Sequence, residues 1–179
     1  MTNDIDRILY TEEQIYKRVK ELAQEINDFF GNSPIVAVFV LKGSAFFASD
    51  LIRWLEMDVT MEFMSVSSYG LESVSSGKLS IKKDIDTDVA GKNVLIIEDI
   101  IDTGITLTTL KKLFQSRGAK TVKVVTMLSK PSRRLVEFEA DFTGFEVPDA
   151  FVVGYGLDYA DRYRNLPYIA ALKRSVYEK

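Results

Sequence analysis

Residues 94–107 read VLIIEDIIDTGITL, and this stretch decides the fold of the chain. It opens with four apolar residues, a run typical of a strand buried on both faces of a sheet. Two acids, Glu98 and Asp99, follow where the run is expected to leave the sheet, and Asp102 comes three residues later. Thr-Gly-Ile-Thr occupies 103–106, and apolar residues then recur at helical spacing. The stretch therefore predicts a buried strand, a short polar loop and a helix.

The loop between this strand and this helix has the composition of a phosphate-binding loop. Small hydroxyl residues and a glycine leave backbone N–H groups free at a helix N-terminus, where the helix dipole favours an anion. The two acids just upstream can accept hydrogen bonds from sugar hydroxyls or bind a divalent metal. Together these features predict a site for a phosphorylated ribose.

The overall composition narrows the chemistry. The chain has 179 residues, of which 46% are hydrophobic and 27% charged, and this fits one soluble domain with its own core. It has no cysteine and no histidine, which excludes catalytic triads with histidine, thiolate nucleophiles and zinc sites built from these residues. Any metal is expected to be a hard, oxygen-bound ion such as Mg²⁺. The net charge of −3 argues against general affinity for nucleic acid.

The N-terminus has no signal-peptide pattern, and no apolar run is long enough to cross a bilayer. We therefore expect a cytoplasmic protein with no membrane partner.

Hydrophobic periodicity predicts the other elements. A capping-box pair, Thr11 and Gln14, opens an amphipathic helix that ends near Gly31. The second helix is predicted at 45–55, and the helix of the opening stretch ends at Gly118. Strands are predicted at 34–41, at 57–69 with Val59, Met61 and Phe63 alternating, and at 121–129. Residues 70–78 are rich in glycine and serine and predict a mobile loop that returns along 79–85, and short apolar runs follow at 140–147, 151–156 and 168–176.

This order predicts an α/β fold with a central parallel, doubly wound sheet, flanking helices and a small hood formed largely by the C-terminal segment. Strands and helices alternate in the middle of the chain, whereas the final forty residues suggest short strands that cover the edge of the sheet. We expect a single domain over 1–179, with a core at about 10–147, a hood segment at about 148–179 and a lid at about 68–80.

The opening stretch resembles the phosphoribosyl pyrophosphate (PRPP) motif of the type I phosphoribosyltransferases. The surrounding chain resembles the hypoxanthine-guanine branch of that family. Leu41 to Ser44 (LKGS) is similar to its pyrophosphate loop, and Ser68-Tyr69-Gly70 is similar to the start of its lid. Lys130 and the segment 148–169 (PDAFVVGYGLDYADRYRNLPYI) resemble its purine-binding part. The resemblance therefore covers most of the chain in the order of the family.

The resemblance implies a role for each part of the opening stretch. Thr103, Gly104, Ile105 and Thr106 would bind the 5′-phosphate, although some relatives carry lysine where this chain has Ile105. Glu98 and Asp99 would bind the ribose hydroxyls with Mg²⁺. Asp102 would take part in PRPP binding and would be the catalytic residue that accepts a proton from the purine.

Other segments would complete the site by the same resemblance. Lys42, Gly43 and Arg164 would bind pyrophosphate, and the family often has a cis peptide bond where this chain has Leu41-Lys42. Ser68 and Tyr69 would form the lid that excludes water.

The purine would be held by four residues. Lys130 would donate to its 6-oxo group, Phe151 would stack on it, and the carbonyls of Val152 and Asp158 would accept from a 2-amino group. Asp158 would also reach a second Mg²⁺. Each role has a simpler alternative: a helix cap for Thr103 or Asp102, solvated acids for Glu98 and Asp99, a surface lysine for Lys42, a core aromatic for Phe151, and a charged surface for Asp158 and Arg164.

The expected activity is Mg²⁺-dependent transfer of the 5-phosphoribosyl group from PRPP to N9 of hypoxanthine or guanine, which gives IMP or GMP and pyrophosphate. The alternatives are a xanthine-preferring enzyme and a noncatalytic regulator that binds PRPP or nucleotide. A dinucleotide oxidoreductase is excluded because no G-x-G-x-x-G follows a strand. By the same resemblance we expect a homo-oligomer, either a dimer or a tetramer.

Overall fold

The computed structural model describes residues 2–68 and 79–178. Within them the strands are β1 Ile5–Tyr10, β2 Ile35–Leu41, β3 Val59–Ser68, β4 Leu79–Lys83, β5 Asn93–Ile101, β6 Thr121–Ser129, β7 Phe142–Glu146, β8 Val152–Val153 and β9 Ile169–Leu172. The helices are α1 Glu12–Phe30, α2 Ala45–Ile52, α3 Ile105–Ser116 and α4 Arg174–Tyr177, with short 3₁₀ turns at Thr2–Asp4 and Pro131–Arg133. Tyr69 and the rest of the predicted lid loop, up to residue 78, lie outside the described residues.

Six strands form the central sheet in the order β4-β3-β2-β5-β6-β7. All neighbours pair in parallel except β3 and β4, which are antiparallel. The apolar runs of β2 and β5 lie in the middle of this sheet and are buried on both faces, as their composition predicts. Helices α1 and α2 cover one face, whereas α3 covers the other. The predicted parallel, doubly wound α/β fold is confirmed.

A second, three-stranded sheet has the order β1-β9-β8 and is the predicted hood. Strand β1, for which the sequence predicted no element, pairs antiparallel with β9, so the N-terminus also contributes to the hood. Most of β1 is partly or fully exposed, and it therefore lacks the apolar alternation that reveals a strand. The final forty residues do not all cover the sheet edge, because β7 pairs in parallel with β6 and extends the central sheet.

Local details agree in part with the predictions. The capping box is present: Thr11 Oγ1 accepts from the Gln14 N–H, and Gln14 Oε1 accepts from the Thr11 N–H. The alternation in β3 is misleading, however, because Met61 is 46% exposed and Phe63 37%, while the side chain of Glu62 between them is buried. No helix in the described part of the chain is long and apolar enough to cross a membrane.

Glu62 anchors the segment that follows β4. Its carboxylate accepts hydrogen bonds from the Thr87 hydroxyl, the Thr87 N–H at 2.9 Å and the Asp86 N–H at 3.2 Å. The Thr87 hydroxyl is the main reason that the pKa of Glu62 lies below its usual value. A buried polar group in a strand is thus fully satisfied by a loop.

We expect Glu62→Gln to lower the free energy of unfolding by about 1–3 kcal/mol at pH 7, because the amide cannot accept all three hydrogen bonds. The lowered pKa means that the carboxylate stabilises the fold above the usual glutamate pKa of about 4.5, and that this contribution is lost as the pH falls through the folded-state pKa. The difference in the free energy of unfolding between the protein with Glu62 and the Glu62→Gln variant should therefore become smaller below pH 4.5. Denaturant titrations measure it. Glu56→Gln at an exposed position is the control, and an equal loss in both variants would contradict the anchoring role.

Candidate active site

The candidate site lies where β5 loses one of its neighbours. Strand β5 pairs with β2 only as far as Ile97, opposite Phe39, but it pairs with β6 as far as Ile101, opposite Ser129. The acids at 98 and 99 therefore lie inside the strand, not beyond its end as predicted, on a stretch with one unpaired edge. A cavity of about 200 Å³ opens here, lined by residues 98–104, 106 and 107.

The loop at 103–106 has the form of an anion-binding loop. Gly104 has φ +82° and precedes the first residue of α3, and no side chain caps this helix. Thr103 Oγ1 is 3.4 Å from the Ile105 nitrogen, which is too long for an effective cap. The helix N-terminus is thus left open towards the cavity, which disfavours the simple helix-cap interpretation of Thr103. The side chain of Ile105 is exposed, and this residue does not line the cavity.

Arg134, which the sequence analysis did not single out, holds this loop in place. Its guanidinium donates to the carbonyl oxygens of Ile101 at 3.1 Å and Asp102 at 2.7 Å, and to Ser129 Oγ at 2.9 Å. Its side chain is only 10% exposed. The neighbouring Leu135 N–H donates to the Thr103 carbonyl at 3.0 Å. Backbone–side-chain contacts of this kind leave no signal in a linear sequence.

Glu98 and Asp99 form a pair of adjacent, partly exposed carboxylates. Burial raises the pKa of Glu98 well above its usual value, and the charge of Asp99 raises it further. Burial also raises the pKa of Asp99, against the lowering effects of its hydrogen bonds with Glu98 and the Ile100 N–H and of the charge of Arg164. Two acids with raised pKa values need donors or a cation to remain charged together, so the pair fits sugar hydroxyls and a hard metal ion.

Two glycines bring distant loops against this acid pair. A Cβ on Gly43 would overlap the carboxylate of Asp99, and a Cβ on Gly156 would overlap the carbonyl oxygen of Gly43. The peptide bond between Leu41 and Lys42, just before Gly43, is cis. The loop after β2, the end of β5 and the loop after β8 therefore meet at one point.

The predicted pyrophosphate-binding cations also lie together, around a carboxylate that the sequence analysis did not name. Lys42 Nζ is 3.0 Å from Asp161 Oδ1, and Arg164 Nη2 is 3.2 Å from the same oxygen. Arg164 also contacts Asp158 Oδ1 at 2.8 Å and donates to the Gly156 carbonyl at 2.7 Å. Within residues 2–68 and 79–178, no three acids lie close enough to form a metal site by themselves, so Glu98, Asp99 and Asp158 do not form one cluster.

Asp102 has a carboxylate oxygen available for a proton. Its Oδ1 is buried and has no hydrogen-bond partner among the described residues. The nearest cation is Arg133, whose Nε lies 3.5 Å from that oxygen, and the side chain of Asp102 is 44% exposed. The aspartate does not cap α3, because Gly104 occupies the N-cap position. An unsatisfied acceptor beside an open cavity is suited to general base chemistry.

The predicted purine-binding residues are adjacent in space. Lys130 is only 8% exposed, and its Nζ donates to the Ala150 carbonyl at 2.9 Å. Phe151 next to it is 36% exposed, with its ring 5.2 Å from the rings of both Tyr159 and Tyr177. Val152 is buried in β8. The exposure of Phe151 disfavours the alternative of a core aromatic and leaves a ring available for stacking.

Comparisons with known proteins agree with this geometry. A family model described as the phosphoribosyl transferase domain matches residues 7–160. A hypoxanthine-guanine phosphoribosyltransferase of Bacillus subtilis is 56% identical over 178 residues, which cover 99% of each chain. The crystal structure of a hypoxanthine phosphoribosyltransferase from Staphylococcus aureus superposes with a TM-score of 0.96 at 46% identity, covering 100% of this chain and 97% of that one. A hypoxanthine-guanine phosphoribosyltransferase structure from Bacillus anthracis gives a TM-score of 0.91 at 49% identity, covering 94% and 99%.

The open helix N-terminus at 103–106, the acid pair and the segment that resembles a purine-binding part thus occur together in a chain whose relatives are named for their action on purines. The chain belongs to the phosphoribosyltransferase family and, within it, to the hypoxanthine-guanine phosphoribosyltransferases, glycosyltransferases of purine salvage that move the 5-phosphoribosyl group from PRPP to N9 of hypoxanthine or guanine.

Proposed function

We propose that the transfer takes place at the end of β5, with PRPP held between the loop at 103–106 and the pyrophosphate loop. The observation that carries this proposal is the contact of Gly43 with the Asp99 carboxylate, because it places the two PRPP-binding segments side by side. The amides and hydroxyls of 103–106 bind the 5′-phosphate, and Glu98 and Asp99 bind the ribose hydroxyls. Lys42, Gly43 and Arg164 bind the pyrophosphate.

In this proposal the bond from C1′ of the ribose to pyrophosphate breaks as N9 of the purine bonds to C1′. The purine gives up a proton, and Asp102 accepts or shares it near N7. The carboxylates at 98 and 99 stabilise positive charge that develops on the sugar, while Lys42 and Arg164 stabilise the leaving group. Catalysis is thus mainly positioning and charge stabilisation.

Mg²⁺ is the metal that fits the donor set. Glu98, Asp99 and Asp158 offer hard carboxylate oxygens, and the raised pKa values of Glu98 and Asp99 mark a position where a cation relieves repulsion. When bound, the ion would neutralise charge on the PRPP and pyrophosphate oxygens.

The purine-binding residues favour 6-oxopurines. Lys130 donates to the 6-oxo group, Phe151 stacks on the ring, and the carbonyls of Val152 and Asp158 accept from a 2-amino group. Adenine, with a 6-amino donor, would leave the lysine without an acceptor. Turnover of hypoxanthine, guanine, xanthine and adenine with PRPP and Mg²⁺ tests this assignment. Adenine as the best substrate would contradict it, and preference for xanthine would support the xanthine-specific alternative.

The same assay separates an enzyme from a noncatalytic regulator. A protein that bound GMP yet formed no product from PRPP and either oxopurine would be a regulator. The unsatisfied oxygen of Asp102 favours the enzyme, since a proton acceptor is not needed to hold a nucleotide passively.

Three further properties are part of the proposal. Ser68 and Tyr69 begin a lid at about 68–80 that excludes water, and residues 148–179 form a hood segment appended to a core at 10–147 of a single domain. The protein is cytoplasmic. It forms a dimer or tetramer, which light scattering of the purified protein would test.

We expect Lys130→Ala to raise the KM for hypoxanthine and guanine by about 10- to 100-fold, the range for loss of a hydrogen bond from a charged donor. The KM for PRPP should change little, because the amine donates to the carbonyl of Ala150, in the segment assigned to the purine. Steady-state kinetics with each substrate varied in turn measures both values. Lys112→Ala on the exposed face of α3 is the control, and equal weakening of both substrates would remove Lys130 from the purine site.

A further inference from the structure

We propose that, when no pyrophosphate is bound, the carboxylate of Asp161 pairs with Lys42 and Arg164, the two cations assigned to pyrophosphate. The carboxylate therefore competes with pyrophosphate for these two side chains. The proposal deepens the assignment of Lys42 and Arg164 above and rests on it. Asp161 would be a positioning residue that acts through these two side chains. It would set how tightly PRPP binds and how readily pyrophosphate leaves.

The first support is that a single carboxylate oxygen faces both cations. Oδ1 of Asp161 lies 3.0 Å from Lys42 Nζ and 3.2 Å from Arg164 Nη2. A phosphate oxygen of pyrophosphate would need the same position to contact both side chains. The two cations come from loops far apart in sequence, 119 residues separating Lys42 from Asp161. Asp161 thus joins the two halves of the proposed subsite.

The second support is the way in which the carboxylate is presented. The backbone of Asp161 has φ +57°, and its N–H donates to Asp158 Oδ2 at 2.8 Å. The turn therefore holds the backbone, whereas the side chain of Asp161 is 69% exposed. Asp158 differs, since its side chain is only 30% exposed and it keeps both the turn hydrogen bond and a contact with Arg164. The side chain of Asp161 can rotate into solvent while the turn stays formed.

The third support is charge. Both cations contact the carboxylate of Asp161, and an aspartate is an anion at neutral pH. Pyrophosphate carries several negative charges. When pyrophosphate binds both cations, the carboxylate of Asp161 must move away from them. The carboxylate then remains nearby as a negative charge that repels the pyrophosphate. The pair with Lys42 is exposed on both sides, whereas Arg164 is 25% exposed and meets the exposed carboxylate of Asp161; ion pairs at the surface are weak, so the exchange is easily reversed. The carboxylate of Asp161 thus keeps Lys42 and Arg164 in place, and it can rotate away when pyrophosphate binds.

The consequence is a gain of affinity when the carboxylate is removed. We expect Asp161→Asn to bind Mg²⁺-pyrophosphate about three- to tenfold more tightly in titration calorimetry, the range for two exposed ion pairs. The KM for PRPP should fall in the same sense, whereas the KM for hypoxanthine should not change. Asp28→Asn is the control, because it removes the same charge far from the proposed subsite. Asp28 lies near the end of α1, which leads into the start of β2, whereas Lys42 follows the end of β2.

Two further variants separate competition from a structural role. Asp161→Glu keeps the anion and should bind pyrophosphate as the unchanged protein does. In a Lys42→Ala background, Asp161→Asn should give a smaller gain, because one of the two competing pairs is already absent. Weaker or unchanged pyrophosphate binding in Asp161→Asn would overturn the proposal, since a residue that only orients the cations predicts weaker binding. Calorimetry does not need turnover, so it tests this proposal separately from the proposed function. The proposed function would be rejected if the protein without substitutions turned over none of the four purines.

Discussion

Asp102→Asn is expected to lower kcat by about 10²- to 10⁴-fold, the usual contribution of a well-placed acid–base group, with a far smaller change in the KM for PRPP. Asparagine has nearly the same shape and can still accept a hydrogen bond, but it cannot take a proton from the purine. The carbonyl of Asp102, which Arg134 holds at 2.7 Å, is unchanged by the substitution, so the loop should keep its form. Steady-state kinetics with PRPP and hypoxanthine varied in turn measures the effect.

The control for Asp102→Asn is Asp149→Asn. Both aspartates contact the same side chain, because Arg133 Nη1 lies 3.9 Å from Asp149 Oδ1 and Arg133 Nε lies 3.5 Å from Asp102 Oδ1. Removing either charge alters the surroundings of Arg133 in a similar way, but Asp149 is 57% exposed and is not assigned a role in proton transfer. An unchanged kcat in Asp102→Asn, or an equal loss in both variants, would remove Asp102 from that role.

The central sheet was predictable because its strands are buried on both faces. Continuous apolar runs such as 35–40 and 94–97 have few alternative structures, and the intervening helices then require parallel strands. Strand β1 was missed because most of it is partly or fully exposed. The burial of β3 was misread because alternation shows which residues share a face, not which face is covered, and here Glu62 is satisfied by Thr87 on the more buried face.

The site divides in a similar way. The phosphate loop and the acid pair are contiguous in sequence, so their chemistry could be inferred locally. Asp161 and Arg134 were missed because their roles come from contacts between distant segments: Asp161 reaches Lys42 from 119 residues away, and Arg134 reaches the Ile101 carbonyl from 33. Charged residues are usually exposed to solvent. Residue type and spacing alone therefore gave no reason to select Asp161 and Arg134.

Gly43→Ala is expected to lower kcat/KM for PRPP by about 100-fold or more, the size of effect that a displacement of about 1 Å in a reacting group can produce. A Cβ at this position would overlap the carboxylate of Asp99. The loop has little room to move, since the carbonyl of Gly43 is itself packed closely against Gly156. Either Asp99 leaves the ribose site or the pyrophosphate loop shifts. Both outcomes separate groups that contact PRPP together in the proposed site.

The matched control is Gly91→Ala. Gly91 lies just before the start of β5, whereas the candidate site lies at the other end of this strand. Gly91 has φ +71° with no atom within 4 Å of a Cβ, so alanine there should cost about 1–2 kcal/mol of stability and leave the kinetics unchanged. A double-mutant cycle with Asp99→Ala tests the cause: if the clash is responsible, Gly43→Ala should have little further effect once that carboxylate is absent. Near-normal kcat/KM in folded Gly43→Ala protein would show that Asp99 and the pyrophosphate loop need not lie in contact for PRPP to react.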